Sequence, residues 1–151
     1  MNETTVYFVE TRTAEQPVAV CRWVERFYDQ GKRVQVAAGS APAAQNLDQL
    51  LWTFAQGSFI PHRIGPAGST ANEGAEPVII TLEESPIAGM TVLICDGAVG
   101  LESLLRYESV VHFVLLDDAA RRDESRSLWQ QLRDRGIRTI HVPYGPGGLP
   151  P

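Results

Sequence analysis

The chain has 151 residues, 44% of them hydrophobic and 21% charged, the balance of one globular domain with one core. Its net charge of −5 argues against a surface that binds DNA phosphates throughout. No apolar run approaches the ~20 residues of a membrane span. The opening MNETTVYFVE lacks a basic segment followed by an apolar one, so no secretory signal is expected and a cytoplasmic location is the default. Thr4–Val9, rich in β-branched and aromatic residues, predicts a first strand. Thr13 stands as an N-cap, with Gln16 in capping-box position and Pro17 in the first turn. The helix that follows carries Val20, Val24 and Phe27 on one face and ends at Gly31. Cys21 and Cys95, the only cysteines, have apolar neighbours and no metal-ligand spacing, so both are expected as buried thiols.

Arg33–Ala38 predicts a second strand, and Ser40 or its neighbours open a helix reaching about Gln56. Leu47, Leu50, Leu51 and Phe54 recur at i, i+3, i+4 and i+7, one apolar stripe from which Trp52 points away. Gly57 stops this helix, and Pro61 restricts Ile60 to extended backbone. Phe59 and Ile60 are therefore held on a short stiff loop. For Ile60 the core is as good a destination as the surface. For His62 the residues alone suggest a hydrogen bond that fixes the loop.

Residues Ile64–Glu76 include Gly65, Pro66, Gly68 and Gly74 and read as a mobile surface loop. Val78–Leu82 is a strand, followed by a polar turn around Pro86 and Gly89, and Thr91–Cys95 is another. Gly97–Gly100 opens a short helix with Leu101, Leu104 and Leu105. Val110–Leu116 is a near-continuous apolar run, the pattern of a strand covered on both faces. Ala119–Arg135 is the last long helix, closed by Gly136, and Ile137–Val142 the last strand. The alternation predicts an α/β fold in three layers, a single domain over residues 1–143 with a largely parallel sheet. The Gly/Pro-rich residues 144–151 form a tail expected to be disordered.

Several familiar chemistries begin in the sequence and stop short. Phe113–Asp118 ends an apolar run in two acids, as a Walker B strand does, but no phosphate loop accompanies it and Lys32 is the sole lysine. Asp117 and Asp118 read instead as the strand end and a helix cap. His62, His112 and His141 are scattered, with no zinc ligand set around them, and His112 reads as a structural residue inside its strand. Ser58 and His62 form no triad, and Glu83–Glu84 lie in a polar turn as solvated charges. No cofactor or metal is called for.

One helical face is different. Arg122, Arg126, Trp129 and Arg133 lie at i, i+4, i+7 and i+11, with Leu128 and Leu132 beside them to dock on the sheet. Three guanidinium groups beside an indole offer a partner both charge and apolar area. Spacing alone favours a solvated arginine face, offset by Asp123, Glu124 and Asp134.

A family resemblance bears on both stretches. Asp48, Leu51–Trp52 and Phe59-Ile60-Pro61-His62, with Gly31-Lys32-Arg33-Val34 before them and Pro77-Val78-Ile79-Ile80 after, resemble the chi subunit of bacterial DNA polymerase III. The resemblance runs from about Tyr7 to about Ile140. It implies a non-catalytic adaptor with a Rossmann-like domain and two partners, meeting DNA only indirectly. Trp52, Phe59, Ile60 and His62 would face the psi subunit of the clamp loader. Arg122, Arg126, Trp129, Gln130 and Arg133 would receive the acidic, Phe-ended C-terminal tail of single-stranded-DNA-binding protein. Trp129 replaces the usual Tyr of that helix, and Gln130 stands where a Lys is expected, with Arg133 the nearest replacement for the charge. The competing reading is a Rossmann-like nucleotide-binding or hydrolytic enzyme with a degenerate motif.

Overall fold

The structure is a computed structural model, and it describes residues 3–54, 59–65, 76–82, 87 and 89–145. β1 (Thr5–Thr11) leads through a 3-10 turn at Thr13–Glu15 into α1 (Gln16–Asp29), β2 (Val34–Ala37) and α2 (Ala41–Thr53). Then come β3 (His62–Ile64), β4 (Val78–Thr81), β5 (Val92–Cys95) and α3 (Leu101–Leu104). β6 (Ser109–Leu115), α4 (Ala119–Asp134) and β7 (Arg138–Val142) close the fold. The seven strands form one sheet in the order β3-β4-β2-β5-β6-β1-β7, and every neighbouring pair is parallel.

Two apolar layers explain the architecture. On one face Val20, Trp23, Val24 and Phe27 of α1 and Leu47 and Leu51 of α2 pack on Val36, Ile80, Ile94 and Val111. On the other, Leu104 of α3 and Leu132 of α4 pack on Val6, Phe8, Leu93 and Val110. β2, β4 and β5 are buried at every position, as strands covered on both sides must be. Gly31 and Gly136 end their helices at φ +79° and +73°, where a side chain would be strained. Both cysteines are buried and neither is in a disulfide, and burial, with Asp96 adding to it, pushes the Cys21 thiol up to about 12.

A fully satisfied polar knot crosses the second layer. Gln35 accepts from the Tyr107 hydroxyl at 2.8 Å and the Ile87 N–H at 3.2 Å, and donates to Thr81 Oγ1 at 3.1 Å. It ties the segment after β4 to the centre of the sheet without stranding a buried donor.

The helix caps separate expectation from outcome. Ser40 caps α2 as expected, accepting from the Ala43 N–H at 3.2 Å. Asp118 caps α4 likewise, accepting from the Arg121 N–H at 3.0 Å. Thr13 does not cap α1: its N–H and hydroxyl both donate to Asp117 Oδ1 at 3.0 Å, and the helix starts at Gln16. The two acids of the Walker-like run are thus both engaged, and the Thr13 N–H holds Asp117 below the usual carboxylate range.

β3 is an addition to the expected elements. It begins at His62 and runs parallel to β4 at the sheet edge, where the sequence reading placed the start of a loop. Gln56, Gly57, Ser58, Pro66, Gly68, Gly74, Glu83, Glu84, Pro86 and residues 146–151 lie outside the described residues, so the expectations placed on them do too. Tyr144, assigned to the tail, is held: its N–H donates to Glu10 and its hydroxyl to Glu15, both at 2.9 Å.

Candidate partner-binding sites

The first site is a projection at the β3 edge. Its base is Ile60, 1% exposed in the core, and His62, whose side chain is fully buried. His62 Nδ1 stands 2.6 Å from the Ile60 carbonyl oxygen, and Nε2 stands 2.9 Å from the Asp48 carbonyl oxygen and 3.2 Å from Asp48 Oδ1. The ring therefore staples the loop to α2. Above it, Trp52 packs 4.4 Å from the His62 ring and 5.5 Å from Phe59, centroid to centroid. Phe59 is 64% exposed and Trp52 49%, large apolar groups left in water. Ile64, on β3, and Leu82, just after β4, are also exposed.

This arrangement corrects half of the expected set. Trp52 and Phe59 are available to a partner. Ile60 and His62 are not, because one fills the core and the other is buried with one ring nitrogen against Ile60 and the other against Asp48 of α2. The pattern Asp48, Trp52, Phe59, His62 now has a physical content: one cluster in which buried members fix the posture of exposed ones.

The second site is a cavity of about 220 Å³ beneath the N-terminal half of α4. Phe8 from β1, Val114 from β6 and Leu116 just beyond it give it an apolar floor. α4 contributes Arg122, Ser125, Arg126 and Trp129, and β1 and β7 add Glu10 and His141 at the other side. Trp129 meets Phe8 edge to face at 5.0 Å and 80°, so its indole is a wall with support behind it. Ser125 is buried, with its hydroxyl 2.8 Å from His112 Nε2. Burial, with the nearby Arg121, lowers His112 to about 4, so the ring is neutral at pH 7.

Arg122, Arg126 and Trp129 are thus brought together on one cavity, as the helical spacing suggested. Gln130 and Arg133 lie outside its lining. Gln130 donates to Asp134 at 2.9 Å, and the Arg133 guanidinium lies 5.9 Å from the Trp129 ring centre on the solvent side. Arg126 is not idle in the free protein, since Asp123 accepts from it at 3.2 Å, both side chains being about three-quarters exposed (73% and 75%). The sequence reading missed Phe8, Glu10, Val114, Leu116, Ser125 and His141. Strand alternation puts Phe8 with Glu10 and Val114 with Leu116 on common faces, but only the topology says that α4 lies over them.

A family model described as DNA polymerase III chi subunit, HolC, matches residues 1–139. The chain belongs to that family. It is accordingly an accessory subunit of DNA polymerase III, a component of DNA replication. Apart from His141, the residues of both candidate surfaces fall within the matched stretch. Among solved structures, "The crystal structure of T4 UvsW" is similar at a TM-score of 0.62 and 8% identity. That match covers 94% of this chain but 41% of the other, and at such identity it is a likeness of fold alone. A comparison with curated proteins returned no match. Among the described residues no cluster of metal-binding side chains occurs, and no helix is long and apolar enough to cross a membrane.

Proposed function

We propose that this chi-family subunit is a non-catalytic adaptor that joins the clamp loader to single-stranded-DNA-binding protein. The Trp52–Phe59 projection holds the psi subunit. The α4 cavity holds the acidic C-terminal tail of single-stranded-DNA-binding protein, with DNA met only through that partner. This work belongs in the cytoplasm, where replication proceeds.

The observation that carries the reading is the cavity itself. An apolar floor large enough for one ring lies under two arginines and an indole, the chemistry that a Phe-ended acidic peptide presents in reverse. The guanidinium groups supply forked, charge-assisted donors to carboxylates. Few side chains are anchored, so the affinity for such a peptide is on the order of micromolar.

Titration calorimetry with an acidic peptide ending in Phe, at two salt concentrations, tests it. Arg126→Ala and Trp129→Ala each weaken binding by about 1–3 kcal/mol. Added salt weakens the wild type more than Arg126→Ala, which has already lost a screened contact. Binding that ignores both substitutions, or that survives removal of the last Phe, sinks the assignment. So does steady ATP hydrolysis by the purified chain that is lost on Asp117→Asn.

A further inference from the structure

The α4 cavity contains one group that does not suit a carboxylate-binding site. Glu10, from β1, lines it together with Arg122, Arg126 and His141. Both of its oxygens are engaged. Oε1 accepts from the Tyr144 N–H at 2.9 Å, and Oε2 lies 3.0 Å from His141 Nε2. Its side chain is 27% exposed, so a ligand in the cavity meets the charge with little water between. The Tyr144 N–H, then His141 and Arg122, hold this carboxyl below the usual carboxylate range, and it is ionised at neutral pH.

The chemistry at the two sides of the cavity is therefore unequal. On the α4 side Arg122 and Arg126 offer guanidinium donors. On the β7 side the only ring donor, His141, already faces a carboxylate from the protein itself. A ligand carboxylate arriving there meets like charge, which raises the cost of a wrong register. A glutamate kept only to secure the Tyr144 segment would not need its charge, since an amide oxygen accepts from the same N–H.

We propose that Glu10 is a specificity-determining residue: its fixed negative charge closes the β7 side of the cavity to ligand carboxylates and directs them to Arg122 and Arg126. The inference rests on the reading of this cavity as an acidic-peptide site, and it adds how the site limits ligand charge and sets its register. The site accepts a ligand with an apolar terminal ring and carboxylates on one side of it, and an acid placed to reach β7 is rejected.

Glu10→Gln is the direct test, being nearly isosteric and retaining the acceptor for the Tyr144 N–H. Two Phe-ended peptides with free terminal carboxylates are titrated into wild type, Glu10→Gln and Arg126→Ala. One peptide has three acidic residues before the Phe; in the other these are amides. Glu10→Gln tightens the acidic peptide about two- to fivefold at low salt, the gain is smaller for the amide peptide, and high salt removes it. Unchanged or weaker binding of the acidic peptide, with its dependence on Arg126 intact, overturns this inference alone. An equal change for both peptides means a structural role for Glu10 and overturns it as well. Binding that ignores Arg126→Ala places the peptide elsewhere and takes the underlying reading with it.

Discussion

The Trp52–Phe59 projection and the α4 cavity both display an aromatic residue at an edge of the sheet, and they are built on opposite plans. The projection is convex and apolar, and its polar groups are turned inward: His62 and the Ile60 carbonyl satisfy one another beneath the exposed rings. The cavity is concave, and its polar groups are turned outward, where Asp123 and Glu10 already occupy Arg126 and His141. Docking on the first exchanges water for apolar contact and costs little ordering, because the loop is stapled in advance. Docking of a carboxylate on Arg126 in the second must displace the Asp123–Arg126 ion pair. A pre-ordered apolar patch suits a lasting association, and a charge-exchanging pocket suits a reversible, salt-sensitive one.

Removing the base of the projection is the most severe way to break this contrast. Ile60→Ala leaves a cavity under the loop and costs about 3 kcal/mol of stability, read by urea unfolding. An unchanged midpoint would mean that Ile60 is not the anchor. Removing the tip instead separates binding from folding. Phe59→Ala weakens psi binding by about 2 kcal/mol or more while the unfolding midpoint hardly moves, and a variant that binds psi normally refutes the docking role. On the cavity side the sharpest handle is pH. The folded value for His112 is about 4 against an ordinary value of 6.5, so between those limits the unfolded chain takes up the proton first. Stability is therefore full above about 6.5 and declines as pH falls toward 4, by on the order of 3 kcal/mol. His112→Gln should flatten that slope in unfolding curves at several pH values, and an equal slope in both proteins would exclude His112 as its source. The smallest effect belongs to Asp123→Asn, which frees Arg126 and tightens an acidic peptide by less than about threefold. Weaker binding in that variant would show Asp123 to be a positioning group rather than a competitor.

Much of the fold was legible because its strands are short and bounded by glycine, acid or proline, and its helices carry clear stripes. Leu47 and Leu51, Val20 and Val24, and Leu132 all point where their spacing says. The caps at Ser40 and Asp118 were legible because each acts within three residues of itself. Thr13 was misread because its partner, Asp117, is distant in sequence, and a carboxylate accepting two hydrogen bonds outcompetes a local cap. β3 was missed because three residues, one of them charged, have no periodicity to read, and their strand character comes from β4 alongside. The same limit applied to the sites. The α4 half of the cavity was visible as a helical face, whereas the half supplied by three strands requires knowing that β6, β1 and β7 are neighbours. For Ile60 the residues left core and surface equally open, since Pro61 stiffens the loop whichever way it faces, and for His62 they suggested the loop-fixing hydrogen bond that it makes; only the resemblance turned both toward a partner.

The strand order has a consequence for how two occupants would influence one another. β3 and β7 are the outermost strands, six inter-strand spacings apart, which amounts to about 29 Å at ~4.8 Å each. Between them lies a continuous parallel ladder, tied at its centre by the hydrogen bonds of Gln35. Nothing in such a slab offers two discrete packings for a ligand to choose between, and coupling between distant sites requires an element of that kind. Occupancy at one edge should therefore leave the dissociation constant at the other unchanged. The benefit of carrying both sites on one rigid body is proximity: a partner captured at one edge raises the local concentration of whatever the other edge holds, with no allosteric signal between them.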